Sequence, residues 1–138
     1  MAERLTLPGF VNAHSHAFQR ALRGRRTGGD FWAWREAMIE EAERHTPETV
    51  RREYADVYRE MRAAGYTAVG EFHYLGLPEA RAAIEAAEEA GVEIALLLTA
   101  YARGGIPRFR QRSPDEYFDK VSELRGEGHR VGCAPHSV

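Results

Sequence analysis

Cysteine occurs once in the 138 residues, at Cys133. A single thiol excludes an internal disulfide framework and any zinc site built from several cysteines, so a metal must be held by histidine and carboxylate. Cys133 itself reads as a small core residue of a strand. Long apolar runs are missing too. The longest, residues 94–102, is far short of the roughly 20 residues of a membrane helix, and the amino terminus carries no apolar signal core. The expectation is a cytoplasmic protein with no membrane partner. Charge of one sign is scarce as well: 19 Lys and Arg stand against 21 Asp and Glu, a formal −2. That balance gives no basis for a nucleic-acid partner. The one locally basic segment, residues 20–26, reads as a solvated loop.

What is present is an alternation. A hydrophobic content of 43% suffices for one core. Residues 9–13 read as a short buried strand, and Phe31, Trp32, Trp34, Met38 and Ala42 as the core face of a first helix. Thr46 and Pro47 open a second helix as N-cap and first helical residue, and Gly65 ends it. A strand over 66–72, a helix opened by Pro78 and closed by Gly91, and a strand over 92–99 follow. The last of these is apolar on both faces, as in a parallel sheet. After a long polar loop, Ser113 and Glu116 form a capping box ahead of a fourth helix, and a strand over 130–134 reaches Pro135-His136.

This β-α-β-α-β-α-β order calls for parallel strands. A doubly wound nucleotide-binding sheet would place a glycine-rich turn after its first strand, and Asn12 to Gln19 contain no glycine. A (β/α)8 barrel gathers its chemistry at the carboxyl ends of strands, where His14, His16, Glu71, His73, Tyr74, Tyr101 and His136 all fall. The fold expected is therefore α/β, a partial (β/α)8 barrel of about four strand–helix units over residues 1–138. A whole barrel takes about 250 residues.

In an extended segment, residues two apart project to the same side, so His14 and His16 can aim two imidazole nitrogens at one point while Ser15 turns away. Two neutral imidazoles suit zinc or iron. His73 reads as a ligand, a substrate contact or a packing residue. Glu71 reads either as the partner that orients an imidazole or as a packed carboxylate satisfied by arginine. His45 and His129 read as solvent-exposed. Arg35 carries a planar fork suited to a carboxylate.

The segments PGFVNAHSHAFQRALRG, FWAWRE, AGYTAVGEFHYL and APHS, in this order and spacing, resemble the formimidoylglutamate deiminases of the amidohydrolase superfamily. The first motif alone indicates the superfamily; HSHAFQR with GEFHY is narrower. The resemblance implies hydrolysis of N-formimino-L-glutamate to N-formyl-L-glutamate and ammonia, in histidine degradation, with one divalent metal, usually zinc. It implies His14 and His16 as metal ligands, and Gln19, Arg35, Tyr74 and His136 as substrate contacts. The family also has a β-rich domain before the first barrel strand, and further metal and substrate residues after APHS. Neither is in these residues, so the expectation is the amino-terminal part of such a barrel, inactive alone. Two other readings stand beside it: a related deaminase acting on a purine, pterin or S-adenosyl substrate, and a non-catalytic half-barrel that self-associates into a homo-oligomer through its open sheet edge.

Overall fold

Phe10 to Ser15 form β1, a strand whose apolar start, Phe10 and Val11, is exposed and whose last residue, Ser15, is buried. In the computed structural model, which describes residues 4–25 and 29–137, β1 runs on through His14 and then turns into a 3-10 helix, Ala17–Leu22. Arg26, the last arginine of the basic segment, lies outside the described residues. Helices α1 (Phe31–Arg44) and α2 (Pro47–Ala63) lead to β2 (Tyr66–His73), α3 (Leu77–Ala90) to β3 (Glu93–Tyr101), and α4 (Pro114–Gly126) to β4 (Val131–Ser137).

The helix boundaries follow local chemistry. Thr46 and Thr49 cap each other's backbone N–H groups at the start of α2, with Pro47 where its missing N–H costs nothing. Gly91 ends α3 at φ +69°, a left-handed conformation in which a Cβ would be strained. At α4, Ser113 accepts from the Glu116 N–H, but the reciprocal half of the expected capping box is absent. The Glu116 carboxylate instead takes the Arg112 N–H at 2.8 Å, one residue further back.

The four strands form one parallel sheet in the order β1-β2-β3-β4. A strand order that never reverses belongs to a singly wound sheet, so the structure is a curled half of a (β/α)8 barrel and not a doubly wound sheet. Alternation shows the same thing: Val69, Glu71 and His73 of β2 are buried, while Ala68, Gly70 and Phe72 between them are only half-buried. Gly70 has a steric reason, since a Cβ there would lie 2.9 Å from the Ala13 carbonyl of β1. The core sits between sheet and helices. Ala80, Ala83 and Ala87 of α3, all without exposure, let α2 approach closely and bury Val50, Tyr54 and Tyr58. Leu96 fills the centre, a side chain whose burial contributes about 2 kcal/mol.

Four expectations fail on packing. The strand expected to be buried over 9–13 is open at its start, with Phe10 and Val11 56% and 66% exposed on the edge strand β1. Phe31 and Trp32 are 62% and 67% exposed, because α1 buries its far end through Glu41 and Ala42 and leaves its first turn open. Cys133 is exposed, on the edge strand of the sheet. His45 is only 4% exposed. Arg108, from the loop after β3, donates to the carbonyls of Ala42 (2.7 Å) and His45 (2.7 Å) and so covers the end of α1. Among the described residues, no helix is long and apolar enough to cross a membrane.

Candidate active site

The rim of the sheet at the strand carboxyl ends holds a continuous aromatic and imidazole cluster. His14 and His16 bring their Nε2 atoms to 2.9 Å of each other. Phe72 of β2 packs against His14 with ring centroids 4.3 Å apart and planes tilted by 32°. The Phe72 carbonyl lies 3.4 Å from His16 Nδ1, which fixes that nitrogen as the protonated one and leaves Nε2 with its lone pair. Burial lowers the His16 pKa, the Phe72 carbonyl partly offsets this, and His14 and His136 lower it further. The ring is therefore neutral at neutral pH, the form that can ligate.

Glu71 sits beneath this corner with no exposure. Its Oε1 accepts the Ala17 N–H at 2.7 Å and anchors the backbone turn behind His16; among the described residues it pairs with neither an imidazole nor an arginine. Burial pushes its carboxyl up to about 7, against the lowering effects of the Ala17 N–H, Ser15 and Tyr58. Neither Glu71 Oε2 nor the buried Tyr58 hydroxyl makes a hydrogen bond of normal length among the described residues, though each shifts the other's proton affinity. His73 is a packing residue: it faces α3, pairs through Nε2 with the Gly76 carbonyl at 3.1 Å, and burial pushes its pKa down to about 4.

Tyr74, at the end of β2, joins the two halves of the site. Its ring centroid lies 5.1 Å from that of His16 and 5.9 Å from that of His136. His136 stacks on Tyr101 beside a cavity of about 380 Å³, walled by Trp32, Arg35, Met38, Tyr101, Phe109 and His136. The structure thus brings His14, His16, Tyr74 and His136 into one cluster and places Arg35 in the cavity next to it. Gln19 is half-buried in the 3-10 helix, its N–H on the His16 carbonyl at 2.9 Å, and is not among the residues lining that cavity. Trp32 and Tyr101 were not expected as wall residues. The position of Tyr101 at a strand end was the available signal; for Trp32 the core reading hid it.

A second group, Glu41, His45 and Glu53, brings three metal-type ligand atoms within 4.8 Å of one another. Arg25 and Arg44 both engage Glu41 Oε2, and His45 bridges the Glu41 carbonyl and Glu53. Arg25 and Arg44 neutralise Glu41, and Arg52 pairs with Glu53 at 3.1 Å, so the group reads as a structural lock between α1 and α2.

The profile of the amidohydrolase family matches residues 5–138. The chain belongs to the amidohydrolase family. It is 37% identical over 169 residues to formimidoylglutamate deiminase of Pseudomonas aeruginosa, covering 99% of this chain and 37% of that protein. It is 28% identical over 141 residues to the 5-methylthioadenosine/S-adenosylhomocysteine deaminase of Lawsonia intracellularis, covering 100% of this chain and 31% of that one. The chain thus spans about a third of the length of the curated relatives it matches. Among solved structures, an atrazine chlorohydrolase of Arthrobacter aurescens complexed with zinc and atraton superposes with a TM-score of 0.80 at 22% identity, over 94% of this chain and 34% of that one. An adenosine deaminase of Xanthomonas campestris with bound zinc gives 0.70 at 24%, over 93% and 29%. At these identities the likeness establishes the amidohydrolase barrel fold.

Within that fold, the donor set suits a divalent metal. Two imidazole Nε2 atoms 2.9 Å apart are close enough to share one proton or one cation, and imidazole pairs are ligands of borderline metals such as zinc.

Proposed function

We propose that this amidohydrolase chain carries part of the site of a hydrolytic deiminase acting on C–N bonds, with N-formimino-L-glutamate as substrate and N-formyl-L-glutamate and ammonia as products. On this reading it forms the first four strand–helix units of the barrel domain. The observation that carries it is the adjacency of two features: converging imidazoles at the end of β1, and a cavity lined by both Arg35 and His136. A dicarboxylate substrate with a formimino group needs such a separation, a cationic fork for its acid end and a metal for its reacting carbon.

His14 and His16 would hold the metal, taken to be zinc. When bound, such an ion lowers the pKa of water and polarises the carbon under attack. The residues of this chain do the rest of what is assigned here. Arg35 pairs with a substrate carboxylate, while Tyr74, His136 and Gln19 contact and orient the substrate. Glu71 keeps the His16 corner in place from below. A second reading, deamination of a purine or S-adenosyl compound, draws on the names of the Lawsonia and Xanthomonas relatives. Arg35 in the cavity favours the anionic substrate. Ammonia release from N-formimino-L-glutamate, compared with adenosine and guanine, measured on the metal-loaded full-length protein, separates the two.

A further inference from the structure

The cavity beside His136 has two sides. Strand ends and the loop after β3 contribute Tyr101, Phe109 and His136, while α1 contributes Trp32, Arg35 and Met38, successive i, i+3 neighbours on the helix. Tyr101 and Phe109 are already buried against the protein, and Met38 is partly buried against the core. Trp32 is the large apolar wall residue that still faces water, at 67% exposure. Phe31 packs edge-on against its indole with ring centroids 5.3 Å apart. Arg35, one turn along, makes no hydrogen bond or ion pair among the described residues. Burial raises the Tyr101 pKa and the Arg35 charge lowers it, so the guanidinium is within electrostatic reach of that phenol across the cavity.

The helix that carries both residues is held at its two ends. Asp30 Oδ1 accepts the Ala33 N–H at 2.7 Å at the start, and Arg108 donates to the Ala42 and His45 carbonyls at the finish. Trp32 and Arg35 therefore keep their spacing although the cavity side of the first turn packs on nothing among the described residues. An uncommitted cation beside an uncovered indole is a pairing with a chemical use. A guanidinium–carboxylate pair open to water contributes little, because water competes for both partners and salt screens them. The same pair under an apolar cover is screened far less, and an indole that leaves water on covering it gains by doing so.

We propose that Trp32 is a specificity-determining residue of the substrate site, its indole covering the ligand carboxylate that Arg35 takes and the aliphatic chain next to it. The ligand class is a small aliphatic carboxylate; that it is N-formimino-L-glutamate rests on the deiminase reading.

The test is 19F NMR of the full-length protein labelled with 5-fluorotryptophan, the Trp32 resonance being the one lost in Trp32→Phe. The probe is N-formyl-L-glutamate, with adenosine as the uncharged control. The expected result is a saturable shift of the Trp32 resonance with N-formyl-L-glutamate, none with adenosine, and none at the same probe concentration in Arg35→Ala. By calorimetry, Trp32→Ala should weaken N-formyl-L-glutamate binding about ten-fold and Trp32→Phe, which keeps an aromatic cover, about two-fold. A tryptophan that is merely a surface residue leaves its resonance unmoved at saturating probe and the affinity unchanged in Trp32→Ala, and either result overturns the proposal. Absence of any binding overturns it too. Ammonia release from N-formimino-L-glutamate, measured on the same samples, keeps the two claims apart: a Trp32 response without turnover sinks the deiminase reading and leaves this one, and turnover without a Trp32 response does the reverse.

Discussion

Glu71 Oε1 accepts the backbone N–H of Ala17 at 2.7 Å from a position with no solvent exposure, tying β2 to the turn that follows His16. The cost of this anchor is a carboxyl whose pKa is pushed up to about 7 from 4.5. Between those values the folded chain retains a proton that the unfolded chain has lost, so stability falls as pH rises through that window, and the penalty is complete above about 7. Glu71→Gln keeps an oxygen for Ala17 and cannot ionise. It is expected to match the wild type near pH 4 and to exceed it by about 3 kcal/mol near pH 8. Urea unfolding at the two pH values measures the difference, and parallel pH profiles for the two proteins would count against it.

His73 has the opposite sign. Burial holds its pKa near 4, below the ordinary 6.5, so on acidification the unfolded chain takes up a proton first. Stability is unaffected above about 6.5, declines as pH falls below it, and the loss is complete below about 4. A neutral replacement that can still reach the Gly76 carbonyl, His73→Gln, should remove this acid-side loss. The comparison to make is the midpoint of thermal unfolding near pH 4.5 and near pH 7, where the gap between the two should shrink in the variant.

Arg108 should matter for stability beyond what a surface arginine does. Its guanidinium donates to the carbonyls of Ala42, Glu43 and His45 and to Glu79, joining the end of α1, the loop after β3 and the start of α3. Arg108→Ala strips the last carbonyls of α1 and leaves the nearly buried Glu79 without its cation, an expected loss of about 2–4 kcal/mol. Arg108→Lys should recover only part of it, since an ammonium cannot reproduce the planar fork. Full recovery by lysine in thermal unfolding would show that charge alone accounts for the effect.

The elements of the fold were legible because local signals agreed with the tertiary structure. Thr46-Pro47 begins α2, Gly91 ends α3, and the unbroken apolar run of β3 belongs to a strand inside a parallel sheet. The strand-end clustering of His14, His16, Tyr74 and His136 was legible for the same reason, because chain order in a singly wound sheet fixes which ends lie together. What stayed hidden depends on partners far along the chain. Glu71 is satisfied by a backbone N–H 54 residues away, which no side-chain pattern announces. His45 is buried because Arg108, 63 residues later, covers the helix end beside it. Trp32 has a core composition but lies on a helical turn that nothing covers among the described residues.

Arg35 should govern substrate binding more than the chemical step. It lines the cavity beside His136, and a guanidinium–carboxylate pair contributes to ground state and transition state alike. In the full-length protein, Arg35→Ala is expected to raise KM for N-formimino-L-glutamate about 10–100-fold, with a smaller effect on kcat. Arg35→Lys should fall between. A variant whose kcat collapses at unchanged KM would place Arg35 elsewhere in the reaction.

The central claim is that the 2.9 Å pairing of His14 and His16 Nε2 atoms holds the metal of a deiminase. Its most direct test is ammonia release from N-formimino-L-glutamate by the metal-loaded full-length protein, with metal content measured on the same samples, for the wild type and His16→Ala. The account predicts turnover in the wild type, and in the variant loss of bound metal together with a fall in kcat/KM of about 10³-fold or more. Undiminished turnover in His16→Ala would contradict it.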